Sequence, residues 1–382
     1  MKKIGIVTPY KGYNFGTILQ AYAIKEFISS TGYEPYVISK KSITKGRDVS
    51  FKKLFIMFLR GIIRPKVFRN TFFSYKDNLT KSLSEISKTK FIEFQEKLNI
   101  HYHSYFQLKK MGKSDDFLFF VCGSDQIWNA TNLYLDPLYY LCFAPNKKKV
   151  AFSPSFGKIF VPKYNYKPIK KRIKKFEKLS SREESGADII EEMTQRKAEC
   201  LVDPTLLLDK QQWQQIIGNK QSSQIESRYI LLYFLDEPNQ YVINLLEILN
   251  EKGYEFISLN YMYNQYSKYN VKKVDAGPIE FLEYINYSEF ILTDSFHGTV
   301  FSINLHKGFY VFNRNYGNAL NQSTRILSIL ERCGLNDRLI NNDVCELTYI
   351  SESEYKKIDN YLFKERKHAK DYLLTGVQNG KK

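Results

Sequence analysis

The sequence lacks several features that would place it in a membrane-spanning, secreted or metal-clustered class. No apolar run approaches the roughly 18–20 residues that a membrane-spanning helix requires. The chain passes from Met1 into a predicted strand without the apolar core of a signal peptide. Its five cysteines are odd in number and scattered without Cys-x-x-Cys spacing, which argues against a disulfide framework or a zinc site. We therefore expect a cytoplasmic protein without a metal.

Acidic residues are also in short supply, because 57 basic residues face only 40 acidic ones and leave a net charge of +17. Such an excess indicates an anionic partner, which can be nucleic acid, an anionic membrane surface or a phosphorylated small molecule. The chain carries no zinc-finger, helix-turn-helix or RNP-like signature, so we expect no nucleic-acid partner. A basic protein that binds a membrane or nucleic acid without catalysis is kept as an alternative.

Two segments concentrate the positive charge. Residues 51–69 contain no acidic residue, and their apolar residues recur at helical spacing among lysines and arginines. This pattern predicts a helix that lies on an anionic membrane surface or, as the alternative, packs on its own domain. Residues 158–178 hold nine basic residues and one acidic one, which is typical of a solvated helix face, with an anionic surface as the second interpretation. The inner face of the membrane is thus a second predicted location.

Predicted strands and helices alternate along the chain, which is typical of doubly wound α/β domains. The 382 residues are enough for two such domains. A polar stretch after residue 218 predicts the break between them. We expect an N-terminal domain at 1–218 with a helical insertion at about 45–112, a C-terminal domain at 228–345, and a terminal helix at 351–375.

Polar residues follow the predicted strands of the first domain, where ligands of open α/β sheets bind. Asn14 and Gly16 come after the first strand, and Asp125, Gln126 and Trp128 come after a later one. We interpret them as the acceptor side, with the indole stacking on a sugar ring and Asp125 acting as the base for a hydroxyl group. The structural alternatives are a tight turn at Gly16, an N-cap at Asp125 and a core position for Trp128.

The segment FILTDSFHGTVFSI, residues 290–303, predicts a buried strand that enters a helix through a small polar turn. Such a turn directs backbone N–H groups and the positive end of the helix dipole toward one point, which suits a phosphate or a carboxylate. We expect Ser295, Gly298 and Thr299 to bind this anion and His297 to exchange a proton with the bound molecule. The alternative is that the turn only caps a helix and leaves His297 on the surface.

One further candidate for anion binding is Arg182, which follows another predicted strand. A guanidinium group there suits bidentate capture of a carboxylate or phosphate. The alternative is a pair with the neighbouring Glu183 or Glu184.

Seven segments together resemble the polysaccharide pyruvyl transferase family. In chain order they are YNFGTILQAYAI, CGSDQIWN, SPSFG, LSSREESG, LVDPTLLLD, FILTDSFHGTVFSI and STRILSILERCGLNDR. The likeness spans roughly residues 3–338 and is thinner over 40–115. It implies two Rossmann-like doubly wound α/β domains that face each other across a cleft, as in GT-B glycosyltransferases, with the donor side in the second domain.

The resemblance also implies a transferase that moves a pyruvyl group from phosphoenolpyruvate to a sugar diol as a ketal. The acceptor is expected to be a sugar or a lipid-linked oligosaccharide of exopolysaccharide or capsule biosynthesis. Phosphoenolpyruvate is a co-substrate and no cofactor is expected. His297 matches the catalytic histidine of the family, and Arg182 matches an arginine near the donor.

The chain departs from many relatives at one position, because they carry arginine two residues before the histidine and this chain carries Ser295. This places it in a Ser-Phe-His-Gly subgroup and removes one anion clamp. The nearest candidates in sequence to supply the missing charge are Lys307, Arg314 and Arg325. A GT-B glycosyltransferase with a nucleotide-sugar donor is the second enzyme hypothesis, and it predicts sugar transfer without pyruvate.

Overall fold

The protein is described by a computed structural model that covers residues 1–41, 55, 58, 59, 62, 83–218, 228–314 and 323–378. These residues divide into two units. The first unit contains 1–41, 95–204 and 368–378. The second contains 83–94, 205–218, 228–314 and 323–367.

The first unit is built on a five-stranded sheet in which every strand pairing is parallel. Its strands are β1 Lys3–Val7, β2 Glu34–Lys40, β3 His101–His103, β4 Phe117–Cys122 and β5 Lys149–Ala151. Their order in the sheet is β3-β2-β1-β4-β5. Two short parallel strands, β6 Ser180–Ser181 and β7 Glu199–Cys200, form a second small sheet.

The second unit is built on a six-stranded parallel sheet. Its strands are β8 Tyr229–Tyr233, β9 Glu255–Leu259, β10 Val271–Val274, β11 Phe290–Thr293, β12 Gly308–Phe312 and β13 Leu339–Ile340. Their order is β10-β9-β8-β11-β12-β13. Thr293 pairs with Tyr233 on one side and with Val311 on the other, so the central strands end at one level. This common edge is where a ligand of such a sheet binds.

Eleven α-helices connect the strands among the residues that the structure describes in continuous stretches. They are α1 Phe15–Ser30, α2 Glu85–Glu96, α3 Tyr105–Lys113, α4 Lys163–Ile173, α5 Glu184–Thr194, α6 Lys210–Ile217, α7 Gln240–Glu251, α8 Pro278–Tyr287, α9 Phe296–Asn304, α10 Ser323–Cys333 and α11 Glu352–Gln378. In both sheets the first three strands of the unit are added in one direction, and the fourth lies on the other side of the first, as in Rossmann-like folds. The prediction of two Rossmann-like doubly wound α/β domains is therefore confirmed.

Residues 205–218 group with the second unit, whereas the polar stretch after residue 218 predicts them at the end of the first domain. The packing of α6 explains the difference. Trp213 is fully buried and meets the ring of Phe301 edge-on, with 5.0 Å between ring centroids. The side chain of Asn304 donates hydrogen bonds to the carbonyls of Thr205 and Leu208 at 3.0 and 2.9 Å.

Residues 83–94, part of the predicted helical insertion, also group with the second unit. Ser87 on α2 donates a hydrogen bond to the side chain of Asn260 at 3.1 Å, and Lys90 forms a 3.0 Å ion pair with Glu280. These contacts link the helix to partners about 170–190 residues away in sequence, which no local pattern reveals.

The predicted terminal helix corresponds to α11. The predicted basic helix at 51–69 lies outside the described residues except for four positions, which are helical and 43–63 % exposed. These four are Phe55, Phe58, Leu59 and Ile62. Within the described part of the chain, no helix combines the length and the apolar character needed to span a membrane.

Candidate functional site

The turn between β11 and α9 has the strand–turn–helix form that the sequence predicts. The four residues of β11 are fully buried, as expected of a central parallel strand that is covered on both faces. Ser295 is the N-cap residue of α9, and its hydroxyl accepts a hydrogen bond from the backbone N–H of Gly298 at 3.4 Å. The first turn of α9 thus starts at the carboxyl edge of the sheet, where the positive end of the helix dipole favours an anion.

His297 occupies the second position of α9, one residue after Phe296. Its exposed fraction is 8 %, and its Nε2 atom is buried. The ring meets Phe296 edge-on, with 5.1 Å between the ring centroids. The alternative of a surface histidine is therefore wrong. The capping role of Ser295, which was part of the same alternative, is correct. A molecule that contacts Nε2 must displace neighbouring atoms.

Asp294 joins the turn to the loop that follows β8. Its carboxylate accepts hydrogen bonds from the backbone N–H groups of Leu235 and Asp236 at 2.8 and 2.9 Å. The Nε atom of Arg314 lies 3.0 Å from the same carboxylate. Burial raises the pKa of Asp294, and the charge of Arg314 together with the two N–H donors acts in the opposite direction. This network fixes the backbone immediately before His297.

Two of the three predicted cationic side chains lie at this turn. Arg314 reaches it through Asp294, and the guanidinium of Arg325 lies over the ring of Phe296 at 5.7 Å from the centroid. The N-terminal end of α9 is thus flanked by positive charge although Ser295 replaces the arginine of many relatives.

Lys307 does not belong to this group, so its predicted donor-binding role is wrong. It precedes Gly308, which pairs with Phe290 at the first residue of β11, so Lys307 lies at the amino edge of the sheet. Asp294 follows the last residue of the same strand. Four strand residues of about 3.3 Å each separate the two edges. The ammonium of Lys307 donates instead to the carbonyl of Asn286 at 3.0 Å.

Gly298 and Thr299, which are predicted to bind the anion, pack closely within the fold. A Cβ atom at Gly298 would lie 2.5 Å from the hydroxyl of Thr293 and 3.1 Å from the ring of Tyr233, so glycine allows α9 to approach the sheet closely. Thr299 is fully buried, and its hydroxyl donates to the carbonyl of Ser295 at 3.0 Å. These contacts shape the turn, and the role of the two residues in anion binding stays a prediction.

A second polar cluster lies in the first unit, at the carboxyl ends of β1 and β4. Asn14 is the N-cap residue of α1 and accepts a hydrogen bond from the backbone N–H of Thr17 at 3.0 Å. The hydroxyl of Thr17 donates to Asp125 at 2.8 Å. Gly16 is buried within α1. Asn14 and Asp125 thus lie in one cluster, and Thr17 joins them.

Arg182 lies beneath Asp125 and is 5 % exposed. Its guanidinium pairs with Asp203 at 2.6 Å and with Glu183 at 2.9 Å, and it lies 3.9 Å from Asp125. Burial opposes its charged form, but the carboxylates of Glu183, Asp203 and Asp125 outweigh burial and raise the pKa of Arg182. The pairing with Glu183 that the sequence left open is thus observed. Its three carboxylate neighbours make donor capture the weaker interpretation.

The alternative that Asp125 is an N-cap does not hold, since its carboxylate accepts from Thr17 and no helix begins beside it. Trp128 is 0 % exposed, so the prediction that it stacks on a sugar is wrong. Its ring lies parallel to that of Tyr140 at 5.8 Å, and its Nε1 donates to the carbonyl of Tyr139 at 3.0 Å. Gln126 is half-buried and accepts a hydrogen bond from Asn129 at 2.8 Å.

Both polar clusters lie in a part of the chain that matches known proteins. The family model of polysaccharide pyruvyl transferase matches residues 14–316, which is most of the chain. This chain belongs to the polysaccharide pyruvyl transferase family. The match begins at Asn14 and includes Asp125, Arg182 and the turn that carries His297, so both clusters lie in the part that defines a family of transferases.

Comparison with solved structures finds proteins of low sequence identity. A UDP-GlcNAc 2-epimerase from Methanocaldococcus jannaschii is 12% identical, with 95% of this chain and 100% of that chain covered and a TM-score of 0.46. A UDP-GlcNAc 2-epimerase from Neisseria meningitidis is 10% identical, with coverage of 95% and 100% and a TM-score of 0.44. The glycosyltransferase SnogD from Streptomyces nogalater is 10% identical, with coverage of 100% and 97% and a TM-score of 0.43. No curated protein sequence matches the chain.

Proposed function

We propose that this family member transfers the pyruvyl group of phosphoenolpyruvate to two hydroxyl groups of a sugar, as a cyclic ketal, in the synthesis of a cell-surface polysaccharide. Family membership supports the transferase class. The observation that carries the finer proposal is the position of His297 in the first turn of α9, at the carboxyl edge of the sheet, in a turn where Asp294 and Phe296 each contact an arginine.

The reaction sets clear chemical demands. A proton is added to the methylene carbon of phosphoenolpyruvate, and the positive charge that develops at the central carbon is captured by one sugar hydroxyl. A second hydroxyl then displaces phosphate and closes the ketal ring. The two sugar hydroxyl groups lose two protons in total. In the overall balance, one proton is gained by the carbon that becomes the new methyl group, and the other ends on phosphate or solvent. The enzyme must hold one molecule with two anionic groups, a carboxylate and a phosphate, and place one acid beside its double bond.

The turn at α9 offers the elements for holding the donor. The helix N-terminus favours an anion, and Arg314 and Arg325 add positive charge on its flanks. A charge-assisted hydrogen bond contributes about 1.5–3 kcal/mol, so two such contacts compensate for the arginine that Ser295 replaces. Arg314 would keep its contact with Asp294 while it binds the donor, because a guanidinium has five N–H donors.

We assign His297 as the acid that protonates the methylene carbon. An imidazole can gain and lose a proton near neutral pH, which the reaction needs once per turnover. The low exposure of the ring keeps bulk water away from it, and the donor must displace neighbouring atoms to reach Nε2.

In the first unit we propose Asp125 as the base for an acceptor hydroxyl. Its side chain is 15% exposed, and Thr17 and Arg182 fix its orientation. Asn14 and Gln126 remain candidates for acceptor hydrogen bonds, since both lie close to this cluster in the chain. Replacing Asp125 by Asn keeps the shape but removes the proton acceptor, so turnover should fall at least about a hundredfold while the fold is retained.

We also propose that the segment 51–69 associates with an anionic membrane, where a lipid-linked acceptor would be found. The four described positions of this segment expose apolar side chains at helical spacing. Replacing Lys52, Lys53 and Arg60 by Glu should abolish flotation with anionic liposomes. Unaltered flotation would reject this part of the proposal and favour an internal packing role.

The central experiment incubates the purified protein with phosphoenolpyruvate and a panel of lipid-linked or nitrophenyl sugars. Phosphate release together with the mass of one added pyruvate on the sugar is the expected result. His297→Gln should fold normally, as judged by circular dichroism, and lose at least about a hundredfold in turnover. His368→Gln is the matched control, because His368 is an exposed histidine that pairs with Glu199 on the surface of the first unit.

Two results would overturn the proposal. Full activity of His297→Gln would remove the assigned acid. Turnover of nucleotide sugars without any pyruvate transfer would identify the chain as a glycosyltransferase within a pyruvyl transferase-like family.

A further inference from the structure

A pocket of about 550 Å³ opens in the first unit between the start of β5 and the helix α4. Five cationic side chains line it, together with the thiol of Cys142. The cations are Lys149, Lys167, Lys171, Arg172 and Lys175. No carboxylate of the described residues lines the pocket. Its volume lies within the usual range of roughly 300–1,000 Å³ for small-molecule sites.

Lys149 is the most informative of these residues because it is 3% exposed. Its ammonium makes one long hydrogen bond, of 3.4 Å, to the side chain of Asn146 and pairs with no carboxylate in the described chain. A buried ammonium without a counter-ion is costly. Burial lowers the pKa of Lys149; Cys142 opposes this effect, and the nearby Lys175 lowers the pKa slightly further. An anion in the pocket would remove this cost.

The helix α4 and the residues after it hold the other cations in place. Lys167 and Lys171 are four residues apart and therefore share one face of the helix. Lys175 follows one further turn along, and like them it forms no ion pair with a described residue. The guanidinium of Arg172 lies 5.0 Å from the ring centroid of Tyr140 and donates to the carbonyl of Leu135 at 2.8 Å. Lys167, Lys171 and Lys175 are exposed, and like charges gathered without counter-ions repel each other, so an anionic occupant would stabilise this arrangement.

We propose that this pocket binds a phosphoryl group that carries at least two negative charges, either on a free phosphorylated molecule or on a lipid headgroup. Lysine ammonium groups and a planar guanidinium are the side chains that proteins use for phosphate. The site is distinct from the polar cluster at Asp125, because Lys149 begins β5 at the amino edge of the sheet whereas the cluster lies at the carboxyl edge. It does not depend on the proposed pyruvyl transfer.

Calorimetric titration of the full-length protein with inorganic pyrophosphate at low salt tests the proposal. The double variant Lys171→Gln and Lys175→Gln should bind pyrophosphate at least about tenfold more weakly, since one charge-assisted contact contributes on that order. The matched control is Lys163→Gln and Lys174→Gln, which removes the same charge from exposed positions of the same segment outside the pocket. Its affinity should change less than about threefold.

A second readout locates the ligand. Pyrophosphate should slow the alkylation of Cys142 by iodoacetamide, measured by mass spectrometry, and leave the exposed Cys345 unaffected. Vesicles of phosphatidylcholine with or without phosphatidylglycerol distinguish the source of the phosphoryl group. Competition between anionic vesicles and pyrophosphate assigns a lipid headgroup, and pyrophosphate binding without such competition assigns a free molecule. Absence of binding to both, equal losses in the two double variants, or an unprotected Cys142 would overturn the proposal.

Discussion

The buried arginine of the first unit provides the sharpest test of how this fold is held together. Arg182 has three carboxylates within 4 Å, and the carboxylate of Asp203 is fully buried. Replacement of Arg182 by Met keeps the apolar stem but removes the guanidinium that lies 2.6 Å from this buried carboxylate. We expect a severe loss of stability, because an uncompensated buried charge must be either desolvated or protonated.

The magnitude follows from the burial. Removing one partner of a buried ion pair costs about 3–5 kcal/mol, whereas removing one partner of a surface pair costs about 0–1 kcal/mol. For a domain of 150–250 residues, each kcal/mol lowers the melting temperature by about 2–4 °C. Arg182→Met should therefore lower the melting temperature by roughly 6–20 °C. The double variant Arg182→Met with Asp203→Asn should recover part of this loss, because no charge is then stranded.

The assay is thermal and urea unfolding followed by circular dichroism. Lys25→Met is the matched control, since it removes one positive charge from the surface pair of the same unit with Glu26. The reasoning is refuted if Arg182→Met costs no more than this control. It is also refuted if the double variant loses the full sum of the two single losses, because the carboxylate would then not be the origin of the damage.

Three further predictions follow from other contacts. Burial lowers the pKa of His101 and His103, which contact Tyr36 by stacking at 3.8 Å and by a 3.1 Å hydrogen bond. The neutral rings therefore stabilise the fold at a pH above their pKa in the unfolded chain, which is about 6.5. This stability is lost as the pH falls through the lower pKa values that the two histidines have in the folded chain. The urea midpoint should drop between pH 7.5 and 5, and Asn at both positions should flatten this drop; an unchanged slope would contradict it. Gly298→Ala should cost about 1–3 kcal/mol in urea unfolding and reduce turnover, because its methyl group meets β11; a neutral effect on both would show that the approach is not tight. Trp128→Phe should cost about 1–3 kcal/mol without raising the KM for the acceptor sugar, and a selective rise in KM would restore the stacking role.

The sequence predicts the end of β11 correctly because local chemistry determines it. The buried strands β4 and β11 stop where apolar residues give way to glycine and small polar residues, at Val121 to Ser124 and at Thr293 to Gly298. Gly123 shows why, since its backbone has φ of +147° and a Cβ atom there would lie 1.8 Å from the carbonyl of Phe152. Only glycine fits so close to this carbonyl, so the glycine in the sequence indicates the close approach of the two backbone segments.

Side-chain partners could not be predicted in the same way, because they depend on residues far apart in sequence. Arg182 follows a strand like a ligand-binding residue, but its strongest partner, Asp203, lies 21 residues later. Lys307 is only ten residues from His297, yet the intervening helix α9 returns the chain to the opposite edge of the sheet. In a parallel sheet the polar residues before a strand and after it belong to different edges, so distance along the chain is a poor guide to the site.

The positive charge of the chain has two different uses in this structure. In the buried cluster, the charge of Arg182 is offset by carboxylates of the same chain, so it contributes to the fold and leaves little for a ligand. At the pocket beside α4 the reverse holds, because buried Lys149 and its cationic neighbours have no carboxylate partners in the described chain. The net charge of +17 predicts that an anion binds somewhere, but only this contrast in partners indicates where. An external anion gains most in binding free energy from a cation that has no carboxylate partner in the chain. Folding has already removed this cation from water, so anion binding does not add its desolvation cost.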